Sequence, residues 1–143
     1  TILDWMILPL RRYARFNGLA RPREYWMFVL LVVLALVALS ILETALGLAV
    51  TEQWVRTGPW GASAIYRTHG GPLTGLFALG ILIPHLAVMV RRLHDTDRSG
   101  WWLLLGLLPL LGGLVLLIFF IIGGTRGPNR FGPDPIEVGE DRL

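Results

Sequence analysis

The chain has 143 residues, of which 54% are hydrophobic and only 16% charged, and its mean hydropathy is +0.60. That balance excludes an ordinary soluble domain, which at this size needs more polar surface to cover one core. All 13 basic residues are arginine and the net charge is +3, yet the arginines flank apolar blocks instead of forming a basic domain, so no nucleic-acid partner is expected.

The absence of cysteine removes disulfides, thiol catalysis and thiolate metal sites. The apolar residues fall into three long continuous blocks, which signal membrane spans and not amphipathic faces. The start, Thr1, is that expected after removal of an initiator methionine. Residues 11–23 carry Arg11, Arg12, Arg15, Arg21 and Arg23 and no small-residue cleavage site, so no cleavable signal peptide is expected.

Residues 2–15 are too short to cross a bilayer. Ile2, Met6, Leu10 and Tyr13 recur at helical spacing with Trp5 nearby, which predicts an interfacial amphipathic helix, broken or kinked near Pro9. The first span is expected over about 25–48. Pro22 suits a first helical turn, Glu24 favours the positive end of the helix dipole, and Tyr25 and Trp26 form an aromatic belt. Glu43 reads as a carboxylate near the far headgroups, with ion or proton handling as the alternative.

Residues 49–72 form a polar connection containing Glu52, Arg56, Arg67 and His69, with Trp54 and Trp60 expected at the interface. The second span, about 73–90, contains Pro84 and His85, and a kink is expected at the proline. A short charged loop follows at 91–100, where Ser99 or Asp97 could cap the next helix, and Trp101 and Trp102 make a second belt. The third block, 101–122, is uncharged but interrupted by Pro109, Gly112 and Gly113. It is either one kinked crossing or a re-entrant hairpin of two half-length helices. Length favours the crossing and charge the hairpin; the reading leans to the crossing.

The segment 123–135 is rich in turn formers and no helix is expected in it. Residues 136–143, with Glu137, Glu140 and Asp141, read as a mobile tail. The expected class is thus an all-α integral membrane protein, with a single membrane domain over 1–135. Arginine counts in the short loops place the N-terminus and the 91–100 loop in the cytoplasm. A crossing at 101–122 would leave the tail and its arginines outside, against that bias.

Three segments together resemble the DUF805 family of small bacterial inner-membrane proteins. They are Phe16-Asn17-Gly18-Leu19-Ala20-Arg21-Pro22-Arg23-Glu24-Tyr25-Trp26, Arg91-Arg92-Leu93-His94-Asp95-Thr96-Asp97-Arg98-Ser99-Gly100-Trp101-Trp102, and Gly124-Thr125-Arg126-Gly127-Pro128-Asn129-Arg130-Phe131-Gly132-Pro133-Asp134-Pro135. Leu19 stands where the family usually has arginine. The resemblance implies a membrane location and bacterial origin but no mechanism.

The residues that could carry chemistry crowd into the second of these segments. Arg91, Arg92, His94, Asp95, Asp97 and Arg98, with Arg21, Arg23 and Glu24 on the same side, form either an ion-pair network or a pocket for anionic lipid headgroups; Glu24 is expected to pair Arg91 or Arg92. His85 could serve as a haem ligand or proton relay, but a lone intramembrane imidazole more often bonds within a helix interface. No metal set, nucleophile elbow or phosphate loop is present in the sequence, and no catalytic residue or cofactor is expected.

The first functional expectation is a non-enzymatic subunit packing with itself or with a larger membrane complex, anionic lipid at its arginine loop. Gly47, Gly75, Gly80, Gly106, Gly112 and Gly113 would allow close helix approach. A small oligomeric transporter or channel using Glu43 and His85 is the second expectation, and a membrane enzyme acting on lipid phosphates the third.

Overall fold

The computed structural model describes residues 1–137. The mobile tail expected over 136–143 lies outside the described residues except for Ile136 and Glu137, which belong to a turn. In chain order the elements are α1 (Ile2–Arg11), α2 (Pro22–Ala45), strands β1 (Val50–Gly58) and β2 (Gly61–His69), α3 (Pro72–Asp95), a 3-10 helix (Gly100–Leu107) and α4 (Leu111–Ile121). The chain divides into two compact units: Thr1–Leu31 with the chain from Ile81 onward, and Val32–Gly80. Both long helices pass through both units.

Helices α2 and α3 each have 24 residues, about 36 Å at 1.5 Å per residue, and both are long and apolar enough to cross a membrane. Their apolar side chains are largely uncovered: Val33, Leu34, Val37 and Ile41 on α2, and Leu76, Leu79 and Leu82 on α3, are all at least half exposed. Pro84 lies within α3 without ending it. Because α3 continues to Asp95, the stretch Arg91–Asp95 read as loop is the helix's last turn, which sets Arg92 and Arg91 three and four residues before Asp95, about one turn away.

Helix α1 is shorter than the 2–15 expected. Thr1 and Asp4 form a capping box at its start, and Pro9 is carried inside the helix without a break. Its buried side is Trp5, Met6, Leu8 and Pro9, whereas Ile2, Leu10 and Tyr13 are exposed. Packing on the rest of its unit therefore selects a different face from the one that spacing alone suggested.

The connection at 49–72 corrects the all-α expectation. It is an antiparallel hairpin in which Val50 to Gly58 pair with His69 to Gly61. The valine, tryptophan, isoleucine, tyrosine and threonine residues suit a pleated ribbon, and Pro59-Trp60 make the two-residue turn.

The third apolar block is not one kinked helix. After the 3-10 turns the chain breaks at Pro109 and at Leu110, whose φ is 62°, and α4 returns along the same path. Trp102 meets Phe119 edge to face at 5.6 Å, and Gly112 is so close to the Leu105 carbonyl that no β-carbon would fit. Each arm is about 16 Å long. Ser99 sits at the start of the 3-10 helix but makes no side-chain capping hydrogen bond, so the cap expected from it is absent.

Candidate functional site

The return of α4 brings the three distinctive segments together at one end of their unit. Residue by residue, the site is built on the first turn of α2 and the last turns of α3. Glu24 and Arg91 are both buried; Arg91 Nη1 donates to Glu24 Oε1 at 2.6 Å, and Arg12 Nη1 approaches the other oxygen at 3.6 Å. The Nε and Nη2 of Arg91 are buried and have no hydrogen-bond partner among the described residues. One turn away the backbone carbonyl of Arg91 accepts from the Ala20 N–H at 3.0 Å, which ties the chain entering α2 to α3.

Arg92 is wholly buried and serves two masters. Its Nη1 donates to Asp95 Oδ2 at 2.7 Å, its Nε to the Phe120 carbonyl at 3.3 Å, and its Nη2 to the Ile122 carbonyl. Those carbonyls lie at the C-terminal end of α4, where no intrahelical donor is left and the dipole is negative. The Trp26 indole N–H joins them on Phe120 at 3.1 Å. A guanidinium fork is thus the cap of α4.

Asp95, also wholly buried, receives the tail. The N–H and hydroxyl of Thr125 donate to its carbonyl at 2.7 and 3.1 Å, Arg21 Nε lies 4.0 Å from its Oδ1, and Gly124 presses so near its carboxylate that a β-carbon would collide with it. Asp134 closes the tail. Its oxygens accept from Gly127 N–H at 2.8 Å, from Ile136 N–H at 3.0 Å and from Arg21 Nη2. Burial pushes the Asp134 carboxyl up, but these backbone donors and the Arg21 charge outweigh it and hold it below the ordinary carboxylate range.

His94 stacks flat on Phe131, with ring centroids 4.0 Å apart, and its Nδ1 lies 3.1 Å from the Gly18 carbonyl. Its own carbonyl accepts from Asn129 Nδ2 at 2.8 Å. The remaining expected residues sit at the rim. Arg98 lies 4.0 Å over the Phe119 ring, Asp97 pairs with Arg130 at 3.3 Å in the open, and exposed Arg23 lies 5.5 Å over Trp5.

Glu43 and His85 do not join this group. Glu43, in the other unit, is fully buried and accepts from the N–H groups of Gly71 at 2.6 Å, Leu73 and Thr74 at 3.0 Å, and from the Thr74 hydroxyl at 2.6 Å. It is the N-terminal cap of α3, an anion on the positive end of a helix. His85 is half-buried near the rings of Tyr25 and Phe28, at 6.3 and 6.0 Å, and its Nδ1 has no hydrogen-bond partner among the described residues.

Sequence reasoning left out Arg12, Thr125, Asn129, Phe131 and Asp134. The last four were within reach, because they belong to the third distinctive segment, which was read as rich in turn formers and given no site residue. Chemically the arrangement holds charge; its carboxylates and guanidiniums face one another instead of an open cleft.

The chain matches the family described as "Protein of unknown function (DUF805)" over residues 13–133. It is 41% identical to Inner membrane protein YhaH of Escherichia coli over 133 residues, covering 93% of this chain and 97% of that one. Inner membrane protein YhaI of the same organism is 39% identical, over 93% and 96% of the two chains. Uncharacterized protein YiiR, also from Escherichia coli, is 31% identical over 59% of this chain and 80% of its own length. No solved structure matches. With two helices fit to cross a bilayer and relatives of this kind over nearly its whole length, the chain belongs to the DUF805 family and is a protein of the inner membrane.

Proposed function

We propose that this protein is a non-enzymatic accessory or structural subunit, crossing the inner membrane with α2 and α3 and packing with copies of itself or within a larger membrane complex. The observation that carries this reading is the contrast between helices and site. Along α2 and α3 apolar side chains stand exposed, and in a bilayer such faces are free for lipid or for other helices. Glu24, Glu43, Arg91, Arg92 and Asp95, meanwhile, are spent on one another and on helix ends.

The same geometry moves the lipid reading outward. Arg91 and Arg92 are sealed inside ion pairs and act as framework. The exposed arginines of that unit, Arg11, Arg15, Arg23, Arg126 and Arg130, are the ones available to anionic headgroups, with α1 lying along the interface. In this reading 101–122 is a re-entrant hairpin, because each arm has about half the length of a 30 Å hydrocarbon core. The tail then returns to the arginine-rich side, which the positive-inside bias makes cytoplasmic together with the N-terminus and 91–100. The transporter alternative loses Glu43, whose oxygens are occupied as a helix cap.

Extraction in polymer nanodiscs followed by native mass spectrometry tests the proposal. The expected species is an oligomer or complex retaining anionic lipid, and the retention falls in an Arg11→Ala/Arg15→Ala/Arg23→Ala variant. A lipid-free monomer from native membranes overturns it.

A further inference from the structure

The hairpin β1–β2 is the part of the molecule that its own chain leaves most open. Every residue of β1 is exposed, as are Tyr66 and, at the turn, Trp60, which is 99% exposed. A two-stranded ribbon on its own is marginal; three or more strands, or a covering element, are needed for independent stability. Both outer edges also present unpaired backbone N–H and C=O groups at every second residue, a template for another strand.

The charges on the ribbon are lopsided. On the face that carries Trp54 opposite Ile65, Glu52 stands opposite Arg67 and lies 3.7 Å from the His69 ring. Arg56 stands opposite Ser63 and has no carboxylate partner among the described residues. The carboxylate has Arg67 opposite it and the His69 ring beside it, while Arg56 has no anion among the described residues.

Read against itself in the antiparallel sense, the β1 sequence Val50-Thr51-Glu52-Gln53-Trp54-Val55-Arg56-Thr57-Gly58 corrects that imbalance. Centred on Trp54, it sets Glu52 opposite Arg56, Thr51 opposite Thr57 and Gln53 opposite Val55. We propose that β1 pairs edge to edge with β1 of a second copy of this chain, on a two-fold axis at Trp54, giving a four-stranded antiparallel sheet.

The interface is isologous, so each favourable pair occurs twice. Arg56 gains a carboxylate, Glu52 lies between Arg67 of its own chain and Arg56 of the other copy, and the two Trp54 rings meet across the axis. The β2 edge does not offer this, because Gly61–His69 contains Arg67 and His69 but no acid. The inference rests on the homo-oligomeric form of the proposed function and names the surface.

The chain contains no cysteine, so single cysteines report cleanly. Oxidation of Trp54→Cys in native membranes is expected to give a disulfide-linked dimer. Thr51→Cys alone stays unlinked, its two copies lying about 20 Å apart in this register, while Thr51→Cys co-expressed with Thr57→Cys links. With Trp54 intact, Glu52→Arg or Arg56→Glu weakens dimerisation about tenfold in native mass spectrometry, and the double exchange restores it.

Absence of the disulfide together with charge variants that leave the oligomer unchanged overturns this interface, while the homo-oligomer itself stands on another surface. Protection of Trp54→Cys from a hydrophilic maleimide without any disulfide also overturns it, because lipid or a different protein then covers the edge. A wild-type monomer removes both the interface and the homo-oligomer.

Discussion

Two buried charges cap helices in this protein, and they do so at opposite poles and under opposite conditions. Glu43 sits on the N-terminus of α3 and is satisfied by three backbone N–H groups and one hydroxyl, with no cation paired to it among the described residues. Arg92 sits on the C-terminus of α4, donates to two carbonyls, and needs Asp95 as well. The difference follows from group geometry. A carboxylate gathers converging N–H donors on two atoms, so a helix terminus can neutralise it nearly alone. A guanidinium spreads its donors over a plane, and carbonyl dipoles facing one edge leave the other edge to be matched by a true anion.

The largest effect is therefore expected from breaking the second arrangement. Arg92→Ala takes from the Asp95 carboxylate its nearer cation, leaving Arg21 at 4.0 Å, and takes this donor from the Phe120 and Ile122 carbonyls, a loss of about 3–5 kcal/mol. Denaturant unfolding in micelles measures it. Arg92→Lys recovers only part, because one ammonium cannot span both partners. Arg92→Leu/Asp95→Leu recovers more than either single change, since the cost lies in the stranded charge. Wild-type stability in Arg92→Ala would sink the idea that this fork holds the site together.

Gly124→Ala comes next, at about 1–3 kcal/mol for overpacking. The added methyl meets the Asp95 carboxylate, which Arg92 prevents from turning aside. A double-mutant cycle with Asp95→Ala sharpens the point: the methyl costs nothing measurable once the carboxylate is gone, and an undiminished cost in that background places the strain elsewhere.

Much of this was legible in the residues and some was not. The two long helices follow from uninterrupted apolar runs, and pairing of Glu24 with Arg91 follows from placing both near one membrane face. The helical state of Arg91–Asp95 was hidden because four polar residues among five, after an apolar run, look like the end of a span. In fact the helix continues, since its partners are supplied by Gly18–Ala20 and by the tail. The hairpin was hidden because glycine, proline and mixed charges mask a period of two. The fold-back of 101–122 depended on Leu110 taking a positive φ in a tight γ-turn, which no rule of spacing assigns to leucine.

For Glu43 the expected loss is smaller and local. Glu43→Gln keeps one acceptor oxygen but turns an amide N–H₂ toward backbone donors and removes the charge facing the helix dipole, a cost of about 1–2 kcal/mol. Hydrogen exchange at Gly71, Leu73 and Thr74 quickens while the Arg91–Asp95 turn is unaffected. Accelerated exchange in both regions would mean that the two caps belong to one cooperative unit, and the contrast drawn between them would fail.

The smallest effect tests the tail's own anchor by pH. Asp134 is held below the ordinary carboxylate value when the tail is docked, so the undocked tail binds its proton more readily than the docked one. Docking therefore gains its full contribution from this group above the ordinary pKa of about 3.9. It loses that contribution as pH falls through the lower, docked-state value. A fluorophore on Glu137→Cys, the only thiol in the chain, should show steady anisotropy from pH 7 to pH 5 and a decline only below about pH 4. Asp134→Asn removes the dependence, because its amide oxygen is neutral throughout. A decline that persists in Asp134→Asn instead would transfer the latch from Asp134 to the His94–Phe131 stack.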